Sequence, residues 1–139
     1  MKSVPISPYQ QTFGMIYFAR LLDKIRKHAA GELREDFTDN LGKGFDDRCV
    51  KFLEVEYNTL AAKTLEGGSD EDLLEWCFEN GRRLTPNDIW IWNEYLRKVG
   101  WNDGTTELLE RRKREAGLEG RAEIQTMLEL FEHDEGRKA

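Results

Sequence analysis

Glycine and proline divide this chain into short segments, and that punctuation limits its fold more than its hydrophobicity does. Gly67-Gly68 precede Ser69, Gly81 precedes Thr85-Pro86, and both Val99-Gly100-Trp101 and Gly117-Leu118 place glycine before an apolar residue. Each reads as a helix boundary. Glycine takes the left-handed conformation that closes a helix, Ser or Thr caps the next, and proline suits a first helical position. Between the breaks, apolar residues recur at helical spacing and nowhere alternate as in a half-buried strand. The pattern predicts an all-α chain: a compact single-domain bundle of about six helices over residues 12–132. An extended segment at 1–11 precedes it and a frayed polar tail at 133–139 follows.

Pro5 and Pro8 keep the first segment extended. From Thr12, Phe13, Ile16, Tyr17, Leu21, Ile25 and His28 share one broad face, with Arg20, Asp23 and Lys27 opposite. Arg26, Lys27 and His28 suit the negative end of the helix dipole, and Gly31 suits its cap. Residues 31–44, GELREDFTDNLGKG, have no sustained period, and we read them as one long irregular loop pinned by Phe37 and Leu41. Phe45 to Glu66 turns helical again, with a break expected near Glu54-Val55-Glu56. Ser69 and Asp72 form a capping box with Asp in place of Glu. A further helix starts at Thr105 or Thr106, and a last one carries Ile124, Met127, Leu128 and Phe131. Trp101 is expected to fold back onto the turn that Gly100 closes.

One helix is over-supplied with large apolar residues. In DIWIWNEYL (88–96), Ile89-Trp90-Ile91-Trp92 run consecutively, yet a helix advances roughly 100° per residue. Ile89, Trp92, Leu96 and Val99 share one arc, with Tyr95 at its edge. Trp90 falls on the far side among Glu94 and Arg97, and Ile91 lies on a flank. An outward indole has three uses: cover by its own chain, contact with a partner, or a ligand wall. Trp90, Ile91, Glu94 and Arg97 are the candidate interface.

Composition narrows the function classes. Of 139 residues, 39% are hydrophobic, which supplies a real core despite 35% charged residues. The net charge of −6 opposes a surface that tracks nucleic-acid phosphates. The run Arg111-Arg112-Lys113-Arg114, flanked by glutamates, reads as a solvated helix face. No window is long enough to span a bilayer, and the start MKSVPISPYQQ lacks a signal peptide's continuous apolar stretch. Cys49 and Cys77 read as buried free thiols, so a cytoplasmic protein is expected. Neither nucleic acid nor membrane is an expected partner; a second copy of the chain or a small molecule is.

The chemistry-bearing motifs are sparse. His28 and His133 are far apart, and no Cys-x-x-Cys or His-x-x-x-His pair supplies metal ligands, so no metal or cofactor is expected. His28 lacks an evident orienting partner and reads as a dipole-satisfying terminal residue. In LGKGFDDR (41–48), Gly42, Lys43 and Gly44 precede a helix start, as an anion nest would. The order is not that of a P-loop, Asp46 and Asp47 would repel an anion, and a shaped turn with an Asp cap is the preferred reading. A small-molecule or enzymatic site on residues 31–48 would draw on Asn40, Lys43, Asp46 and Arg48. It stands as the alternative to an interaction module that self-associates through the Trp90 face.

Five stretches in order, SPYQQTFGMIYFARLLDKIRKHAAGEL (7–33), NLGKGFDDRCVKFL (40–53), GGSDEDLLEWCFENGRR (67–83), WNEYLRKVGW (92–101) and GLEGRAEIQTMLELFEHDEGR (117–137), resemble a bacterial family catalogued only as a domain of unknown function. The resemblance implies a small single-domain protein and assigns no activity, cofactor or catalytic residue. That family reads Tyr-His before Ala-Asn-Leu-Gly, where this chain has Phe37-Thr38-Asp39 before Asn40-Leu41-Gly42. Its glycine near position 54 supports the helix break expected there.

Overall fold

The computed structural model describes residues 1–139 and is mostly helical. A two-residue hairpin, β1 (Gln11–Thr12) and β2 (Met15–Ile16), leads into α1 (Phe18–Ala29). A 3₁₀ helix at Glu35–Asn40 follows, then α2 (Phe45–Leu53), α3 (Tyr57–Leu65), α4 (Asp70–Asn80), α5 (Pro86–Lys98), α6 (Thr106–Glu115) and α7 (Met127–Asp134). The chain divides into two compact units, Met1–Ile89 and Trp90–Ala139, with the division inside α5.

In the first unit, α1 packs against α3, α4 and β1, and α2 against α3. Phe18, Leu21, Leu22, Leu53, Leu60, Leu73 and Leu74 are fully withdrawn from water. α1 starts at Phe18, later than the periodicity suggests. Phe13 and Gly14 both take positive φ, 50° and 81°, as a tight hairpin turn requires. They reverse the chain, so Thr12 pairs with Met15 and Gln11 with Ile16. The apolar period runs on through Phe13 and Ile16, but the hairpin parts them: Ile16 is buried, whereas Phe13, in the turn, is 54% exposed.

The extended N-terminus is bound along its length. Ser3 donates its N–H to Glu32 O at 2.8 Å and accepts from Arg34 N–H at 2.9 Å. Ile6 N–H donates to Asp23 Oδ2 at 2.9 Å, Arg20 Nη1 to Ile6 O at 3.1 Å, and Lys27 Nζ to Val4 O at 2.8 Å. The polar stripe of α1, Arg20, Asp23 and Lys27, therefore seats backbone that no sheet partner satisfies.

The helix boundaries follow local chemistry. Ser69 Oγ accepts from Asp72 N–H at 3.1 Å while Asp72 Oδ2 accepts from Ser69 N–H at 3.2 Å, closing the capping box. Thr85 and Asp88 repeat this reciprocal pair at the start of α5. The break between α2 and α3 falls at Glu54, left-handed at φ 58° and ψ 41°, within the Glu54-Val55-Glu56 stretch where it was expected. Gly81 lies so close to α2 that a Cβ there would stand 2.2 Å from Leu53 O and 2.7 Å from Val55 Cγ1.

In the second unit α6 packs on α7, and Met127 N–H donates to Val99 O at 2.9 Å. Gly100, at φ 102°, admits that approach, since a Cβ would meet Met127 N at 3.1 Å. The last residues are not frayed. Arg137 and Lys138 N–H both donate to Glu132 O, at 2.9 and 3.0 Å, and Arg137 Nε donates to Glu132 Oε1 at 2.6 Å. The Arg137 guanidinium also pairs with Glu135, whose side chain is almost wholly buried. The basic residue within the polar tail is what folds it back.

Candidate functional site

Two features stand out, one buried and one exposed. The buried one joins α1 to α2. Lys24 Nζ lies 2.7 Å from Asp46 Oδ1, with side-chain exposures of 7% and 0%. Tyr17 O–H donates to the same oxygen at 2.7 Å, and Lys24 Nζ also donates to Tyr17 Oη at 3.3 Å. Gly42 N–H donates to Asp46 Oδ2 at 3.1 Å. Both carboxylate oxygens thus have donors, the condition on which a charge survives burial. Burial first, and the Asp46 carboxylate second, push the Tyr17 hydroxyl well above its ordinary range. Burial and then Asp46 do the same to the Cys49 thiol. Both groups stay neutral at physiological pH.

Tyr17 carries this geometry at a backbone cost. It precedes α1 at φ 75° and ψ −34°, a conformation that costs a bulky residue about 1–3 kcal/mol and persists only when its surroundings dictate it. The edge of the Phe45 ring, 6.2 Å away between centroids, together with the Asp46 bond, holds the ring in place. Gly42, at φ 75°, lies under the Tyr57 ring, whose carbons would stand 3.0–3.2 Å from any added Cβ. Burial and the Asp46 charge raise the Tyr57 hydroxyl to about 12.

The loop residues expected to act together are separated by burial. Asp46 is fully inside, whereas Asn40, Lys43 and Arg48 are exposed. The structure brings Asp46 together with Tyr17 and Lys24 instead. Sequence reasoning missed those two, although a signal existed. On a wheel of roughly 100° per residue, Lys24 falls about 20° from Tyr17, beside the apolar arc of α1, an unusual place for a lysine with no buried partner. No three His, Cys, Asp or Glu side chains converge as metal ligands.

The exposed feature is the outer face of α5. Trp90 is 63% exposed, Ile91 49% and Tyr95 40%, while Trp92 and Leu96 are buried. The apolar run divides along the arcs its register dictates. Ile89 is half-buried. Glu94 sits among these residues and accepts from Arg97 Nη1 at 3.2 Å and Lys98 Nζ at 3.0 Å, which lowers its carboxyl, the Lys98 bond contributing most. Trp101, expected to fold back onto the helix end, is instead 56% exposed.

Fold and surface together define a mostly helical domain with a satisfied ionic core and an uncovered aromatic face. The family model described as Domain of unknown function (DUF5069) matches residues 2–137, and the chain belongs to that family. No curated protein matches it. No helix is long and apolar enough to cross a membrane.

Proposed function

We propose that this domain is a protein-interaction module of the bacterial cytoplasm whose partner is a second copy of itself, docked on the outer face of α5. The observation that carries this reading is Trp90, the larger part of whose indole stands in water beside exposed Ile91 and Tyr95. Leaving apolar surface hydrated costs about 25 cal/mol per Å², and aromatic side chains are enriched where partners meet. The same face carries both signs of charge, Glu94 against Arg97 and Lys98. A patch holding both signs is self-complementary across a twofold axis. Free, buried Cys49 and Cys77 fit a reducing compartment. A small-molecule site on residues 31–48, the alternative, draws on one inward carboxylate, Asp46, whose oxygens are already engaged.

Light scattering at tens of micromolar, a range in which an ordinary interface associates, tests the reading. A dimer that Trp90→Arg converts to a folded monomer is the expected result. A wild-type monomer at that concentration, or a dimer indifferent to Trp90→Arg, refutes it.

A further inference from the structure

The second unit contains a concavity of about 190 Å³, walled by Trp101, Thr106, Leu109, Glu110, Lys113 and Ile124. One rim is fixed by an unusually well-braced loop. Asp103 Oδ2 accepts from Gly100 N–H at 2.9 Å, Asp103 Oδ1 from Thr105 N–H at 2.8 Å, and Thr106 Oγ1 from Asp103 N–H at 2.9 Å. Trp101 N–H donates to Lys98 O at 3.0 Å, and Asn102 takes a left-handed φ of 48°. An indole 56% exposed is therefore presented on rigid backbone, as a binding wall requires.

The concavity is lined by one charge of each sign, Lys113 buried and Glu110 facing water. Lys113 is buried, and two of its three protons go to Arg121 O at 2.8 Å and Ile124 O at 3.1 Å. Glu110 Oε1 stands 3.7 Å from the Lys113 ammonium, and its side chain is half exposed. Lys113 is satisfied mainly by carbonyl oxygens, so Glu110 retains capacity for a second cation. An anionic ligand is disfavoured. The Thr105 and Thr106 N–H groups leading into α6 already donate to the chain's own Asp103, and an anion's charge would lie beside Glu110.

We propose that this concavity binds a small organic cation, an alkylammonium group, between the Trp101 indole and the Glu110 carboxylate, with the alkyl part against Leu109 and Ile124. Aromatic faces attract such cations, more strongly where water is partly excluded. The chain's net charge of −6 adds a weaker long-range attraction.

Titration of the ¹⁵N-labelled full chain with butylammonium chloride, and with sodium butyrate at matched ionic strength, tests this. The expected result is a saturable shift of the Trp101 indole N–H with butylammonium alone. Glu110→Gln should weaken it about tenfold, and Trp101→Ala should do so equally at the Thr106 and Ile124 amides. Both side chains are exposed, so spectra unchanged elsewhere confirm that each variant is folded. No saturable shift by about 100 mM, an equal response to butyrate, or full-strength binding to Glu110→Gln overturns the proposal.

Discussion

Lys24 and Asp46 meet at 2.7 Å with almost no solvent on either side chain, and the strained Tyr17 shares the Asp46 oxygen that Lys24 holds. The three residues connect the start of α1, its middle, and the first turn of α2. A buried pair of this kind is worth less than its Coulomb attraction, because both charges have left water. Its effect on the structure is chiefly that of a lock, since each partner makes the other's burial tolerable.

Removing one partner should therefore be severe. Lys24→Met leaves a buried carboxylate facing a neutral hydroxyl and one amide, and should cost about 3–5 kcal/mol. Urea denaturation measures this directly. Lys24→Met combined with Asp46→Asn removes both charges and should recover part of the loss. A double variant no more stable than Lys24→Met alone would mean that packing, and not the lone charge, sets the cost.

Two backbone positions flanking α2 predict opposite outcomes. Gly81→Ala forces a methyl against Leu53 O and Val55 and should destabilise by about 2–3 kcal/mol through overpacking. Glu54→Gly relieves a left-handed residue at φ 58° and should stabilise by about 1 kcal/mol. The exposed Glu54–Arg82 pair at 3.4 Å is worth less than that. Thermal melts of both variants, run beside the wild type, check the two signs together.

Alkaline pH should weaken the fold through its buried thiols and phenols. Burial pushes Cys77 up to about 12, Tyr57 reaches about 12, and Cys49 and Tyr17 are raised well above their ordinary ranges. In the unfolded chain, thiols titrate near about 8.5 and phenols near about 10. The folded state thus holds these protons more tightly. The stability they contribute is complete below about pH 8.5 and falls as pH rises toward about 12. Urea midpoints taken between about pH 8 and pH 11 should decline steadily, and a flat profile would contradict neutral burial of these groups.

Much of the fold was legible because helix boundaries are local. Ser69 and Asp72, Thr85 and Pro86, and Gly100 announce their roles within three residues, and the orientation of Trp90 follows from that register. The hairpin at 11–16 was obscured because Phe13 and Ile16 fit the helical period as well as they fit a reversed chain. The Tyr17–Lys24–Asp46 lock was obscured by separation. Asp46 looks like any acidic residue in a first helical turn, and only tertiary packing brings it under α1. Trp101 went the other way: its position after Gly100 suggested local cover, but the Asp103 turn holds it outward.

The N-terminal seam adds a constraint on the order of assembly. Ser3 is bonded on both sides by Glu32 and Arg34, and Val4 and Ile6 by side chains of α1. Ser3 and its neighbours are synthesised before these partners, and the seam is incomplete until the chain has been made at least as far as Arg34. Until then the two prolines at positions 5 and 8 hold them extended, in the form that the seam accepts.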